Sequence, residues 1–477
     1  MSAGALMPRA RQAADDATAD VGSVLARISG SDPVDYLVER SRAVAVRAVD
    51  PLQIAAWLET DGVTDRVARV EFGYADVFAL AEEVFRRAGP PPSVERPAPP
   101  ALVRGARDLG HGALYLLPTA IFPAVLTMLG ANALLRGVLL VGWVSWVLSG
   151  SAAWLGYHLV GVGRPESAGR ILRWSTLASL PVSGLLGALV VGRNGGAIIL
   201  AVGLTAYQMS VTTLVFYRHE QWIFAAMAPA ALAGILCLTV GPRLLGPAVV
   251  LAMTAVAFTL GAALHATTHP EARPEPPLWP MIRMNLRRLT LVVAFTALTA
   301  AYFLYPQAYL LSGDLVIALG ALPVVAGMGI VEWQAHRFGD RAHALLAEVG
   351  RPDQFAARAG RLMLIGLGTC LAGVGLLAAG LLAALAVAGR LSPPVLAMSA
   401  ASVLLAGAYF VTFLLANLGR QAWLCVSLLG CLVAFTAAAG SGSAARAAEV
   451  FAATTALLLL LTLVAAYRRI GQVWGHR

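Results

Sequence analysis

The sequence predicts an all-α polytopic membrane protein: about twelve transmembrane helices in two six-helix bundles, behind a small helical N-terminal domain. Three observations predict it. The 477-residue chain is 58 % hydrophobic with a mean hydropathy of +0.73, too apolar for a soluble domain of ordinary composition. Apolar runs long enough to cross about 30 Å of hydrocarbon recur from residue 112 onward. The charge is also segregated. Residues 1–108 carry thirteen Arg and sixteen Asp or Glu, whereas the remainder carries twenty-two Arg and ten acids.

Residues 1–30 read as a flexible, Ala-rich leader with Asp15, Asp16 and Asp20; a basic stretch followed by an apolar one, the mark of a signal peptide, is not found there. Residues 31–88 read as a helical cytoplasmic domain. Asp32-Pro33 and Asp50-Pro51 each place an N-cap acid before proline, as at a helix start. Apolar residues then recur at helical spacing to Asp61-Gly62, from Val63 to Phe72, and from Ala75 to Arg87. Residues 89–107, rich in proline from Gly89-Pro90-Pro91-Pro92 to Pro100, read as a stiff linker.

The expected spans lie near 112–132, 137–160, 171–192, 196–217, 222–241, 245–266, 289–311, 315–333, 362–388, 394–417, 421–440 and 448–467. Residues 108–267 then form a first bundle, 268–288 a cytoplasmic connector rich in proline (Pro270, Pro274, Pro276 and Pro277 among them), and 289–477 a second bundle. With the N-terminus inside, the inside loops and tail hold seventeen Arg and the outside loops five. That bias places both termini in the cytoplasm. After the eighth span, residues 334–361 read as an amphipathic helix and a turn. Prolines 118, 181, 229 and 323 mark kinks that serve as hinges or shape static helices.

Two segments resemble each other. Gly163-Arg164-Pro165-Glu166 precedes Ala168-Gly169-Arg170, and Gly350-Arg351-Pro352-Asp353 precedes Ala359-Gly360-Arg361. Both start a helix with proline and an acid, favoured by the exposed N–H groups and the dipole. Each follows the second helix of its half, and Arg164, Arg170, Arg351 and Arg361 are taken as cytoplasmic gate residues. On these segments the chain resembles the multidrug/oligosaccharidyl-lipid/polysaccharide flippase superfamily, and among its members the bacterial polysaccharide exporters of the Pel type. The resemblance implies two bundles related by a pseudo-two-fold axis along the membrane normal, with the first and seventh spans bordering a central cavity. The N-terminal domain is not part of that pattern.

Neutral polar residues share faces within the expected spans. On the first, His111, Tyr115, Thr119 and Thr127 follow steps of four; on the seventh, Thr296, Thr299, Tyr302, Tyr305 and Tyr309 follow steps of three or four. Thr205, Gln208 and Thr212 form a shorter stripe on the fourth, and Asn417 ends the tenth. Hydroxyls and rings suit a sugar, so Tyr115, Thr119, Gln208, Thr299, Tyr302, Tyr305 and Asn417 are candidate cavity residues. The same hydroxyls also satisfy helix backbone, and Tyr305 and Tyr309 equally suit an interfacial belt. No acid after Asp108 falls mid-span. Glu332 is the deepest, near the inner end of the eighth span, and the candidate for coupling, although Trp333 beside it favours a plain interfacial carboxylate.

These features set the expected function: a flippase that exports a polysaccharide or lipid-linked oligosaccharide across the bacterial cytoplasmic membrane by alternating access. Its partners would be the lipid bilayer, the glycan and a cytoplasmic glycosyltransferase docked through residues 31–88. A non-transporting scaffold of a polysaccharide synthase complex is the alternative from another class; a cation-coupled drug exporter fits less well without a mid-span carboxylate. The basic excess sits in short loops between apolar runs, which argues against nucleic acid. All thirty-five basic residues are Arg, which removes a phosphate-loop Lys and a Schiff-base Lys. Neither an enzymatic reaction nor a cofactor is expected. Cys237, Cys370, Cys425 and Cys431 lie in apolar runs without metal-ligand spacing.

Overall fold

A computed structural model describes residues 32–45, 48, 50–88, 101–121, 131–192, 194–268, 278–311, 315–348, 352–440 and 442–469. The chain divides into two compact units, Met1–Pro100 and Ala101–Arg477.

In the first unit, helices α1 (Pro33–Ala45), α2 (Pro51–Thr60), α3 (Asp65–Glu71) and α4 (Val77–Ala88) gather around one core. Val34, Leu37, Ile54, Leu58, Leu80 and Val84 are all buried there. Short acidic and hydroxyl side chains open the helices, as their chemistry favours. Asp50 accepts from the Leu52 N–H at 2.8 Å, Asp76 from Ala79 at 2.8 Å, and Thr64 from Val67 at 3.5 Å. Asp65 on α3 accepts from the Val77 N–H at 3.0 Å and so ties α3 to the start of α4. Arg87 closes the unit with bonds to Asp32 at 2.5 Å, Asp35 at 2.9 Å and Glu83 at 2.6 Å.

The second unit is a helical assembly without strand among its described residues. It begins with α5 (Ala101–Leu116) and a 3₁₀ segment, Leu117–Ile121. There follow α6 (Ala131–Gly161), α7 (Pro165–Val191), α8 (Gly195–Phe216), α9 (Glu220–Val240) and α10 (Leu245–Ala266). After a short α11 (Trp279–Met284) come α12 (Leu286–Leu311), α13 (Leu315–Leu319), α14 (Leu322–Glu348) and α15 (Pro352–Val387). Helices α16 (Pro393–Asn417), α17 (Gln421–Ala439) and α18 (Ala444–Arg469) complete it. Ten helices among the described residues are long and apolar enough to cross a membrane, so the chain is a polytopic membrane protein.

Three expectations change. The helix α5 starts at Ala101, directly after the last proline of the linker, so residues 101–107 are its first turns and Arg107 belongs to the membrane unit. The first span is not one continuous α-helix: at Pro118, which lacks an N–H, the chain tightens into the 3₁₀ segment. Residues 334–348 are not a separate amphipathic helix, because α14 runs unbroken from Leu322 to Glu348. The break falls instead before it, at Gly320 and Ala321, where the Ser402 hydroxyl donates to the freed Gly320 carbonyl at 2.5 Å. Pro323 then sits in the first turn of α14, where its missing N–H costs nothing.

The packing repeats along the chain. Helix α6 packs on α7 and α8, α7 on α8, α8 on α10, and α9 on α10. In the same order α14 packs on α15 and α16, α15 on α16, α16 on α18, and α17 on α18. The 3₁₀ segment after α5 meets α9, as α12 meets α17. Between the two sets run two matching seams, α5 against α14 and α12 against α6.

Candidate functional site

At the α5–α14 seam the backbones touch. A Cβ on Gly112 would collide with the Ala326 carbonyl, and one on Gly329 would lie 2.6 Å from the Asp108 carbonyl. Glycine is what permits this approach. On Gly105 a Cβ would lie 3.0 Å from Trp333 Nε1, and the Arg337 guanidinium covers the Trp333 ring at 5.3 Å.

Side chains from three helices meet beside this contact. Arg107 and His111 come from α5, one turn apart; Glu332 comes from α14, and Glu220 from the first turn of α9. Arg107 binds Glu220 Oε1 through Nε at 2.9 Å and through its terminal nitrogen as well. His111 places Nδ1 2.5 Å from Glu332 Oε2 and Nε2 3.6 Å from Glu220 Oε1. The Tyr115 hydroxyl, one turn further along, donates to Glu332 Oε1 at 3.0 Å. The side chains of His111 and Glu220 are 9 % and 8 % exposed, so this is a buried charged chain. At its rim His336 Nδ1 pairs with Asp108 at 3.0 Å. An open cleft of about 320 Å³ lies on the outer side of Arg107 and Glu220, against Arg218 and Phe224. Arg218 adopts the left-handed conformation (φ 61°), which turns the chain sharply between α8 and α9 and sets Glu220 at the helix start.

The second seam is neutral. Trp143 Nε1 donates to the Ala297 carbonyl at 2.8 Å, and the Trp146 and Phe303 rings lie 5.9 Å apart. A Cβ on Gly150 would lie 2.8 Å from Thr296 Cγ2. Next to it, Ser145 shares a 2.7 Å bond with Thr205, and Gln208 reaches Ser149 at 3.5 Å. Both seams are shut in this conformation.

The sequence-derived candidates fall in different places. Glu332 and Tyr115 meet at the charged seam, and Gln208 lies beside the neutral one. Thr119 donates to its own turn at Leu116, and Thr299 to Phe295. Tyr302 is not on an open face: it is fully buried, bonded to Thr454 at 3.2 Å and Thr455 at 3.1 Å on α18. Tyr305 is half-exposed, edge-on to Phe435, and Asn417 is exposed at the end of α16. Arg164 and Arg170 converge on the Ser167 hydroxyl at 3.3 and 3.0 Å. Arg361 is exposed on α15; Arg351, Thr127 and the Tyr309 side chain lie outside the described residues. Sequence reasoning missed Arg107, placed in the linker, and Glu220, counted among loop acids. The one available signal was that Arg107, His111 and Tyr115 share a face of one helix.

No protein-family model, curated protein or solved structure matches this chain.

Proposed function

We propose that this membrane protein is a transporter and not an enzyme: a flippase that exports a polysaccharide or lipid-linked oligosaccharide across the bacterial cytoplasmic membrane by alternating access, with both termini inside. The observation that carries this reading is the repeated packing order, with two halves meeting along two equivalent seams. Two like halves that share seams can rock against each other about a site between them. The reading is also supported by the composition of those seams. One is closed by the charged group of Arg107, His111, Glu220 and Glu332; the other is flanked by the uncharged cluster of Ser145, Ser149, Thr205 and Gln208. Neutral hydroxyls and an amide exchange hydrogen bonds with a sugar as readily as with each other.

Transport of a labelled lipid-linked oligosaccharide into inverted membrane vesicles tests it. Replacing Gln208 by Leu together with Ser149 by Ala should lower the rate about tenfold, the effect of roughly 1.4 kcal/mol of lost hydrogen bonding. The amount of protein in the membrane should not change. Unaltered transport in that variant removes the polar cluster from the path. The first unit favours a second reading, a scaffold of a synthase complex, because Leu52, Val70 and Phe78 stand exposed on three of its helices. In the transporter reading these apolar side chains dock a cytoplasmic glycosyltransferase. Deleting residues 1–100 separates the two readings: a transporter keeps measurable vesicle transport, whereas a scaffold loses all polymer output.

A further inference from the structure

We infer that His111, held between Glu220 and Glu332, is a proton-binding site that locks the α5–α14 seam, keeping its second proton while the seam is shut and yielding it to water when the helices part.

Geometry comes first. Nδ1 lies 2.5 Å from Glu332 Oε2, within hydrogen-bond distance, and Nε2, buried and without a hydrogen bond, faces Glu220 Oε1 at an ion-pair distance of 3.6 Å. A neutral imidazole with its N–H on Nδ1 would turn the Nε2 lone pair toward the Glu220 carboxylate; the doubly protonated ring donates to Glu332 and sets its charge against Glu220 as well. Charge agrees with geometry. Arg107, Glu220 and Glu332 sum to −1, and an imidazolium brings the buried group to zero. An uncompensated charge in that position is costly, and one proton removes it.

The surrounding groups leave His111 as the variable member. On its own helix Tyr115 donates to Glu332, and Asp108 is paired with His336 of α14 at the rim. From α8, the Tyr207 hydroxyl is committed to the Leu114 carbonyl at 2.8 Å. Arg218, on the turn before α9, is exposed.

Opening changes the balance in one direction. Arg107, His111 and Glu220 belong to the first set of helices, and Glu332 to the second. Parting α5 from α14 removes Glu332 into water and leaves Arg107 and Glu220 already neutral together. His111 then has no net negative charge to answer. A hydrated imidazole titrates near 6.5, so at cytoplasmic pH the ring passes its proton to water, imidazolium and water giving imidazole and hydronium. Closing takes a proton back. The inference rests on the transporter reading only for the motion; the protonation state is measurable without transport.

Two measurements on the full chain in lipid nanodiscs and vesicles decide it. Nitrogen-15 NMR of histidine-labelled protein distinguishes imidazolium from either neutral tautomer. The resonances lost in His111→Gln, or in His111→Asn if the first variant does not fold, assign the ring. His111 of the wild type should be imidazolium at about pH 7.5, a unit above the free ring, and Glu332→Gln should render it neutral there. A neutral His111 in the wild type at that pH overturns the proposal, whatever the transport result. In vesicles, wild-type transport should slow about tenfold as cytoplasmic-side pH falls from about 7.5 to 5.5, since protons hold the seam shut. Glu332→Gln should flatten that profile to about twofold or less. Transport with the same pH profile in both proteins overturns the coupling and leaves the transporter reading standing. An imidazolium at His111 without any transport supports the proton site and overturns the transporter reading.

Discussion

Single residues carry more of this molecule's charge chemistry than their sequence setting announces. Removing Arg107 by Arg107→Ala takes from the buried Glu220 a guanidinium that is itself partly exposed, and the loss of a hydrogen-bonded charged partner costs about 1–3 kcal/mol. Thermal unfolding in detergent should register that loss, while Arg107→Lys should recover part of it. Tyr302→Leu should cost about 1–3 kcal/mol, because the Thr454 and Thr455 hydroxyls lose their partner in a packed interior. In the first unit the guanidinium groups of Arg86 and Arg87 hold the Glu83 carboxyl down at about 2, from 4.5. A carboxyl depressed on folding adds stability above its unfolded value and loses it as pH falls through the folded one. The 31–88 unit should therefore lose melting temperature between pH 4.5 and about 2, as followed by circular dichroism, and Arg87→Ala should blunt the dependence. Asp32, held low by the Val34 N–H and then by Arg87, acts in the same direction. His111 and Glu332 were both legible as polar residues on helices. Their meeting was not, because periodicity fixes the face a residue occupies on its own helix and says nothing of which helix lies opposite.

Among the elements, ten of the twelve expected spans fall on described helices long and apolar enough to cross a membrane, the first and third not among them, and the interruptions were not foreseen. Hydropathy registers apolar length. It is blind to Pro118 tightening α5 into a 3₁₀ turn, to the break at Gly320, and to polar residues 334–348 continuing α14 past its apolar part. Helix α15, at 36 residues, is about 54 Å long and exceeds the hydrocarbon thickness for the same reason: nothing in Pro352–Leu362 breaks a helix that polarity alone does not end. Glycine readings divide in the same way. Gly329→Ala forces a methyl against the Asp108 and Leu109 carbonyls, an overpacking that should cost about 1–3 kcal/mol and pry the seam apart. Gly339→Ala, one face round on the same helix with nothing within 4 Å, should be neutral or stabilising by up to about 1 kcal/mol. Comparing the two melting temperatures separates the seam from helix propensity.

At the scale of the whole molecule, composition divided the chain at residue 108, whereas the two units part at Pro100 and Ala101. The remainder is basic because most of the charge it keeps is Arg in the segments that join its apolar helices. The repeat was visible only in the Gly-Arg-Pro-acid segments. The repeated packing order reaches every long helix, because neighbour relations depend on shape and small residues that many sequences satisfy. Residues 31–88 expressed alone should unfold as one cooperative unit with a low melting temperature, as a core of that size allows; a flat, non-cooperative trace would show that the core needs the rest of the chain.

Were α14 to turn about the break at Gly320, where Ser402 holds the carbonyl, it would act as a lever with its fulcrum there. Glu332 stands twelve residues along that arm, about 18 Å from the pivot. A swing of about 10° would carry its carboxylate roughly 3 Å, enough to sever the contact with His111 while moving the pivot itself hardly at all. The far tip at Glu348, more than twice as distant, would sweep proportionally further, so a partner gripping that tip would hold mechanical advantage over the seam.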